Sequence, residues 1–282
     1  MSTQTDLQRE YKFTPKDFNT LRKIANEHTG IVVPDDKFDM YYARISKRIR
    51  HLGLRDFKEY CEYLQNNPDT EFKPFINSIT TNLTSFFREN HHFEFLKNEA
   101  VPKLLSHNAG TKSIRVWSAG CSTGEEPYSI AISLLEAMEN QQDWSIKILA
   151  TDVDSDVLST AKQGIYSQDR VNGLPASVKR RWFMKGRGER SGTVRVSPEL
   201  QQIISFKQLN LMQDWPIKKQ FDIIFCRNVV IYFDRNTKIR LLDRFADYLF
   251  NDGFLIMGHS ESLQTLSKRF DVMGKTVYRK NS

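Results

Sequence analysis

The apolar residues of the first 80 positions recur at helical spacing. Helix-entry and helix-stop signals at Thr14-Pro15 and Thr29-Gly30 predict one helix, and a further helix is expected from about Asp56 to Gln65. Between them, steps of three and four residues place one apolar stripe on a single helix face: Phe38, Tyr42, Ile45, Ile49 and Leu52. The pattern predicts an all-helical N-terminal domain over residues 1–80 and then a linker over residues 81–100. Another helix is expected from about residue 88 to residue 106.

From residue 101 onward, β-rich runs alternate with helical runs. The predicted strands cover residues 113–118, 145–151, 203–208, 221–226, 253–258 and 276–279, and the predicted helices cover 127–139, 154–162 and 235–249. Such alternation is typical of an α/β domain with a parallel, doubly wound, Rossmann-like sheet. We assign this domain to residues 101–282.

One connection is too long for a simple helix-to-strand loop. Between Lys162 and Ile203 the residues after Gly186, Gly188 and Gly192 alternate in polarity as in a hairpin. The pattern predicts a small antiparallel β subdomain inserted at about 165–202.

Composition narrows the class of protein. The chain has 282 residues, 39% of them hydrophobic, which is typical of a globular protein. It has no apolar run of the roughly 20 residues that a membrane span needs, and its polar N-terminus lacks a signal peptide. The three cysteines are widely spaced, which argues against disulfides and against a metal site. We therefore expect a cytoplasmic monomer without a metal and without membrane insertion.

The net charge of +7 suggests nucleic-acid binding, but its distribution does not support that idea. Residues 81–161 are net acidic, and the basic excess is concentrated in residues 162–207. A second basic cluster lies on the predicted helical domain: Arg44, Lys47, Arg48 and Arg50. Most charge runs are solvated helix faces, yet two basic surfaces beside an acidic centre also suit an acidic protein partner.

A glycine loop follows the first predicted strand. Gly120 and Gly124 allow a close approach of backbone to ligand, Pro127 suits the first turn of the next helix, and the loop lies at the carboxyl end of a parallel strand. An ordinary strand-to-helix turn would look similar. Asp152, at the end of the second strand, favours a ligand, since an acidic residue there can accept the hydroxyls of a ribose.

The charge of this loop argues against a dinucleotide. Glu125 and Glu126 stand at the helix N-terminus, where a pyrophosphate would otherwise bind, and their carboxylates repel phosphate. S-adenosylmethionine has a ribose, no phosphate and a cationic sulfonium. It therefore suits this site better than NAD does.

Four segments together resemble a known family: TTNLTSFFRE at 80–89, WSAGCSTGEEPYS at 117–129, FCRNVVIYF at 225–233 and GHSE at 258–261. They look like the CheR-type chemotaxis receptor methyltransferases, and the resemblance covers nearly the whole chain in order. It implies a class I S-adenosylmethionine-dependent methyltransferase fold with a helical N-terminal domain and an inserted β subdomain. The implied reaction methylates glutamate side chains on the cytoplasmic helices of chemoreceptors and releases S-adenosylhomocysteine.

The resemblance also implies roles for residues that match its motifs. The methionine part of the cofactor would meet the 80–89 segment, including part of the linker: Asn82, Thr84 and Arg88. The adenosine side would be held by Glu126, with Glu125 still open, and by Asp152. The adenine would meet Asn210 and Leu211, and the floor of the site would be Arg227 and Asn228. In some members the β subdomain binds a peptide at the receptor C-terminus, which would here involve Gly186, Gly188 and Gly192.

A carboxylate acceptor simplifies the chemistry. Glutamate is ionised at neutral pH, with a reference pKa of about 4.3, so methyl transfer to it needs no general base. The enzyme must align the acceptor and hold its carboxylate, for which the candidates are Arg88 and Tyr232. Two alternatives remain open, an RNA methyltransferase and a non-catalytic signalling adaptor that binds S-adenosylmethionine. A surface ion pair with Glu89 or Glu94 is the structural alternative for Arg88.

Overall fold

The computed structural model describes residues 9–263 and 266–281, so residues 1–8 of the polar N-terminus lie outside the described residues. The chain divides into two compact units, Met1–Thr81 and Asn82–Ser282. Within the described residues, no helix has the length and apolar character needed to cross a membrane.

The first unit is helical, as its periodicity predicts. From residue 9 onward it forms the helices α1 (Pro15–Thr29), α2 (Phe38–Leu52), α3 (Phe57–Asn66) and α4 (Pro68–Ile79). Thr14 and Asp17 form a reciprocal capping box at the start of α1, and Gly30 ends it with a φ of 72°. Helix α4 was not predicted individually, although Pro68 at its first turn is a helix-entry signal.

The apolar stripe of α2 lies in the core with one shift. Tyr41, Ile45 and Ile49 are fully buried, whereas Phe38 and Tyr42 are only half-buried. Both half-buried rings pack against Phe13, at centroid distances of 4.4 and 6.1 Å. The buried face of α2 therefore includes Tyr41, which the predicted stripe of apolar residues did not contain.

The second unit contains a seven-stranded sheet and a separate three-stranded sheet. In chain order the strands are β1 (Ser113–Ala119), β2 (Ser145–Asp152), β3 (Ile165–Ser167), β4 (Phe183–Lys185), β5 (Thr193–Val196), β6 (Ile204–Gln208), β7 (Phe221–Cys226), β8 (Leu249–Met257), β9 (Phe270–Gly274) and β10 (Val277–Lys280). The large sheet has the order β6-β2-β1-β7-β8-β10-β9. Its first five strands are parallel, and β10 runs antiparallel to both neighbours. This is a doubly wound sheet, which confirms the predicted fold class.

Helices precede and connect these strands. They are α5 (His91–Phe95), a π-helical stretch (Leu96–Ala100), α6 (Val101–His107), α7 (Glu125–Ala137), α8 (Ser155–Gln163), α9 (Ala176–Trp182), α10 (Pro198–Gln202) and α11 (Arg235–Tyr248). Helix α7 begins two residues earlier than expected, so Glu125 and Glu126 lie in its first turn. The predictions missed β9, an edge strand on which Asp271 to Gly274 are exposed, because it has no alternating pattern.

The predicted β insertion is present as the sheet β3-β5-β4, with both pairings antiparallel. It shares the hydrophobic core of the second unit, since Tyr166, Phe183 and Val194 belong to the same buried cluster as residues of β1 and α7. The insertion is therefore packed into the domain. The parallel strands β1, β2, β6 and β7 end at one edge of the large sheet, where ligands bind in doubly wound folds.

Candidate active site

The loop between β1 and α7 is held tightly against its neighbours. The amides of Gly120 and Cys121 both donate to the Thr151 carbonyl, at 2.8 and 2.9 Å. Gly124 has a φ of 99°, and a Cβ there would lie 2.8 Å from the Ala161 Cβ and 2.9 Å from the Tyr166 hydroxyl. No other residue fits that position without strain or displacement.

Asp152 closes this loop from the end of β2. Its carboxylate accepts the amides of Ser122 at 2.8 Å and Asp154 at 3.0 Å, one on each oxygen. Burial raises the pKa of Asp152 to about 6, against these hydrogen bonds, which lower it. Each oxygen retains a second lone pair for a further donor.

A buried arginine lies between two carboxylates at the end of β7. Arg227 contacts Glu126 at 3.0 Å and Glu89 at 3.2 Å, and it also donates to the Arg88 carbonyl. Only 2% of the Arg227 side chain is exposed. The hydroxyl of Ser118 occupies the second oxygen of Glu126 at 2.7 Å. These contacts join β1, α7, β7 and the 82–89 segment.

The two carboxylates respond differently to this environment. Burial raises the pKa of Glu126, although Arg227 and Ser118 act in the opposite direction. For Glu89, burial also acts upward, but hydrogen bonds and charge from His259 and Arg227 outweigh it and lower the pKa to about 2. Glu89 is therefore a firmly ionised partner of Arg227.

Glu125 faces a different group from Glu126. Its side chain is fully buried and pairs with Arg170, which lies in the inserted subdomain just after β3. The Thr123 hydroxyl donates to the same carboxylate at 2.6 Å. These adjacent glutamates of one helix turn therefore pair with different parts of the chain. Glu125 pairs with the insertion, and Glu126 pairs with the arginine at the end of β7.

The segment 82–89 lies over the loop and the start of α7. Asn82 donates to Asp154 at 2.8 Å and accepts the Ser122 hydroxyl on its own carbonyl at 2.8 Å. Further along, the Phe87 amide donates to the Ser129 hydroxyl at 2.9 Å. Residues 82–89 of the predicted linker therefore form a wall beside the glycine loop and α7.

Within this wall, Arg88 is half-buried and donates to the Leu83 carbonyl at 2.8 Å. Glu89, one candidate for an ion pair with Arg88, instead pairs with Arg227. The Thr84 carbonyl accepts from Arg170 at 3.1 Å. Tyr232 ends a short 3-10 helix after β7, and 36% of its surface is exposed.

The remaining predicted residues follow β6 and β7. The Leu209 amide donates to the Asp152 carbonyl at 2.9 Å, which brings the neighbouring Asn210 to the end of β2. Leu211 is buried. Asn228 has a φ of 59° directly after Arg227, a conformation that asparagine tolerates better than most residues. The structure thus brings residues from four strand ends and the 82–89 segment to one edge of the sheet.

Sequence reasoning gave no role to Glu261, which the structure shows to be central. Its buried carboxylate accepts the amides of Gly258 at 2.7 Å, Asn228 at 2.8 Å and Ile231 at 3.2 Å. It fixes the loop after β7 to the loop after β8. The signal available was its place in the GHSE motif.

Comparison with known proteins identifies the family. Residues 82–279 match the family described as CheR methyltransferase, SAM binding domain, and residues 16–80 match its all-alpha domain. The chain belongs to the CheR methyltransferase family. Chemotaxis protein methyltransferase 2 of Pseudomonas aeruginosa is 44% identical over 95% of this chain and 94% of its own length. The chemotaxis protein methyltransferase of Escherichia coli K12 is 43% identical, over 93% and 89%.

Among solved structures, magnesium protoporphyrin IX methyltransferase of Synechocystis is 14% identical over 67% of this chain and 70% of that chain. Its TM-score is 0.32. The family match makes S-adenosylmethionine the cofactor. The site fits it, because the carboxylates around the loop suit a ribose and a cation better than a phosphate.

In this CheR family member, the predicted partner-binding arginines of α2 make structural contacts. Arg48 forms a two-pronged pair with the buried Glu71, at 2.9 and 2.5 Å. Arg44 donates to the Ile79 and Thr80 carbonyls at the end of α4, at 2.8 and 2.7 Å. Arg50 pairs with Glu10 at 2.5 Å, while Lys47 is exposed. Arg44 and Arg48 therefore support the helical unit, whatever else they contact.

The glycines of the insertion have separate conformational reasons. A Cβ on Gly186 would lie 2.0 Å from the Arg190 carbonyl oxygen, so that position admits no side chain. Gly188 and Gly192 have φ values of 58° and 80° with open space around them. They shape the turn between β4 and β5.

Three potential metal ligands of this methyltransferase lie within 4.8 Å of one another: Glu89, His91 and His92. Other groups already occupy two of these three residues. The Glu89 oxygens already face Arg227 and His259. The Nε2 of His92 lies 2.9 Å from the Lys275 carbonyl, and burial, together with the Arg227 charge, lowers the pKa of His92 to about 4.

Proposed function

We propose that this protein transfers the methyl group of S-adenosylmethionine to glutamate carboxylates of chemoreceptors, in the cytosol. The observation that carries the proposal is that the titratable side chains of the site already have ion-pair or hydrogen-bond partners. Glu126, Glu89 and Asp152 are bound to Arg227 or to backbone amides, and His92 is held by a backbone carbonyl. An acceptor that is already ionised suits such a site, because it needs no base to deprotonate it. The names of the two relatives, both chemotaxis methyltransferases, point to the same pathway.

Several side chains are proposed to hold the cofactor. Asp152 would accept the ribose hydroxyls on its remaining lone pairs, and Glu126 would contact the adenosine part of the cofactor. Asn210 and Leu211, which follow β6, would contact the adenine. The cofactor supplies an electrophilic methyl group on a cationic sulfur, and the acidic surroundings of the loop suit that charge.

The opposite side of the site is proposed to hold the methionine part and the acceptor. Asn82 and Thr84 lie on the 82–89 segment, and Arg227 and Asn228 form the floor. Arg88 would bind a carboxylate with its guanidinium, since arginine is suited to two-point recognition of that group. Tyr232 is exposed enough to meet a protein acceptor and would orient its carboxylate.

Incubation with radiolabelled S-adenosylmethionine and receptor-containing membranes tests the reaction. We expect a base-labile label on the receptor, because glutamyl methyl esters hydrolyse in base. Arg88→Ala should lower kcat/KM by about 100-fold, the size of effect seen when one electrostatic contact in a transition state is lost. Arg180→Ala, at an exposed position of α9, is the matched control and should retain activity. Label on RNA with none on the receptor would refute the proposal.

We also propose that the inserted sheet binds the receptor C-terminal peptide and so raises the local substrate concentration. Strand β4 is an edge of that sheet, and its Met184 is exposed. An extended peptide could add to such an edge by backbone hydrogen bonds. The basic excess of residues 162–207 favours an acidic peptide.

Deletion of residues 187–192 tests this proposal. Titration with a labelled peptide from the receptor C-terminus should show weaker binding, while the affinity for S-adenosylhomocysteine stays unchanged. Equal peptide affinity in the deletion variant and the parent protein would exclude this loop from the peptide site.

A further inference from the structure

The insertion and the cofactor site share side chains. Arg170 lies in the short 3-10 helix Gln168–Val171 of the insertion. Its guanidinium contacts two parts of the site, the Glu125 carboxylate on α7 and the Thr84 carbonyl on the 82–89 segment. One side chain therefore ties three separate pieces of chain together.

The charge on Glu125 explains why this contact is needed. Glu125 is 0% exposed, whereas 38% of the Arg170 side chain is exposed. The Thr123 hydroxyl is the other donor to that carboxylate. A buried carboxylate that loses its cation is strongly unfavourable, so removing Arg170 would favour a movement of Glu125 toward water. Such a movement would disturb the first turn of α7.

Further contacts join the insertion to the glycine loop and to the 82–89 segment. The Tyr166 hydroxyl of β3 donates to the Thr123 carbonyl in the glycine loop at 2.7 Å. Phe86 of the 82–89 segment packs edge-on against Tyr166 and Phe183, at centroid distances of 5.1 and 5.2 Å. The insertion thus contacts both the loop and the wall of the site.

We propose that Arg170 is a positioning residue for cofactor binding: it fixes the 82–89 segment against the glycine loop and makes the cofactor affinity depend on the insertion. The inference rests on the cofactor contacts proposed above for Asn82 and Thr84. Arg170 acts through Glu125 and Thr84 and is not itself proposed to touch the cofactor.

Calorimetric titration of the full-length protein with S-adenosylhomocysteine tests the inference without any acceptor. Arg170→Ala should raise Kd by about 10- to 100-fold, which corresponds to the loss of one hydrogen bond to a charged group. Arg170→Lys keeps the charge, but an ammonium cannot bridge the Glu125 carboxylate and the Thr84 carbonyl as a guanidinium does, so an intermediate Kd is expected. In turnover assays, KM for S-adenosylmethionine should rise more than kcat falls. Arg180→Ala controls for the loss of a positive charge from the insertion.

The double variant Arg170→Met with Glu125→Gln separates positioning from a direct contact. Because it removes the uncompensated charge, it should bind S-adenosylhomocysteine more tightly than Arg170→Met alone. An unchanged Kd in Arg170→Ala, or no recovery in the double variant, overturns the inference. Normal binding by Asn82→Ala would instead remove the premise about the cofactor contacts. Failure to methylate receptors with normal S-adenosylhomocysteine binding would count only against the proposed acceptor.

Discussion

Replacing Arg227 with methionine would leave two carboxylates without their shared cation. Methionine keeps an unbranched apolar stem but has no charge, so Glu126 and Glu89 would lose partners at 3.0 and 3.2 Å while remaining largely buried. Removing one member of a buried ion pair costs about 3–5 kcal/mol. We expect a loss of about 3 kcal/mol in the free energy of unfolding at neutral pH.

The lowered pKa of Glu89 is consistent with a loss of this size. The folded protein holds it at about 2 against an ordinary value of 4.5, a difference worth about 3 kcal/mol. Because this pKa is depressed, the stabilisation is present above about pH 4.5 and is lost as the pH falls toward 2. Arg227 shares the effect with His259, so the variant should lose part of it and should also lose the pairing of Glu126.

The pH dependence should separate this mechanism from a simple packing defect. Without Arg227, the pKa of Glu126, already raised by burial, should rise further. A raised carboxyl pKa destabilises the folded state as pH rises through it, so the deficit of the variant should be larger at pH 8 than at pH 5. A packing defect would give a deficit independent of pH.

Urea unfolding followed by tryptophan fluorescence is the assay. All four tryptophans, Trp117, Trp144, Trp182 and Trp215, belong to the second unit, so the signal reports on that unit. Arg180→Met is the matched control, since the Arg180 side chain is exposed and its loss should leave the free energy of unfolding nearly unchanged. Equal losses in the two variants, or a deficit that does not change with pH, would refute the reasoning.

Three other substitutions test separate parts of the fold. Glu261→Gln keeps the shape but places an amide group against backbone donors, so we expect a loss of about 1–3 kcal/mol by urea unfolding; an unchanged midpoint would contradict the bracing role. Gly124→Ala should lower the melting temperature, since it combines a φ of 99° with contacts below 3 Å, and a stable variant would show that the loop can shift. Arg48→Met leaves the buried Glu71 without its cation, so it should cost about 3 kcal/mol of stability in melts followed by helical circular dichroism. Lys47→Ala should leave these melts unchanged, and similar effects of the two substitutions would contradict the structural role of Arg48.

Local patterns in the sequence were enough to predict the architecture. Helical spacing and capping signals such as Thr14-Pro15 predict the N-terminal helices, and the alternation of β-rich and helical runs predicts the doubly wound sheet. The hairpin around Gly186 was visible because antiparallel strands with a glycine turn leave a period-two pattern. These features depend on short-range backbone preferences, which neighbouring residues encode. The edge strand β9 was not predicted, because an exposed strand has no buried face and so shows no alternation of apolar and polar residues.

The charges of the glycine loop were also readable, and they favour S-adenosylmethionine over a dinucleotide. What the sequence could not decide was the partner of each ionised group. Glu125 and Glu126 are adjacent, yet one faces Arg170 and the other Arg227, because successive residues of a helix point about 100° apart. Arg227 is 101 residues from Glu126, and Glu261 is 33 residues from Asn228. Such pairings depend on which strand ends meet at the sheet edge and on how deeply each charge is buried, and only the tertiary structure determines both.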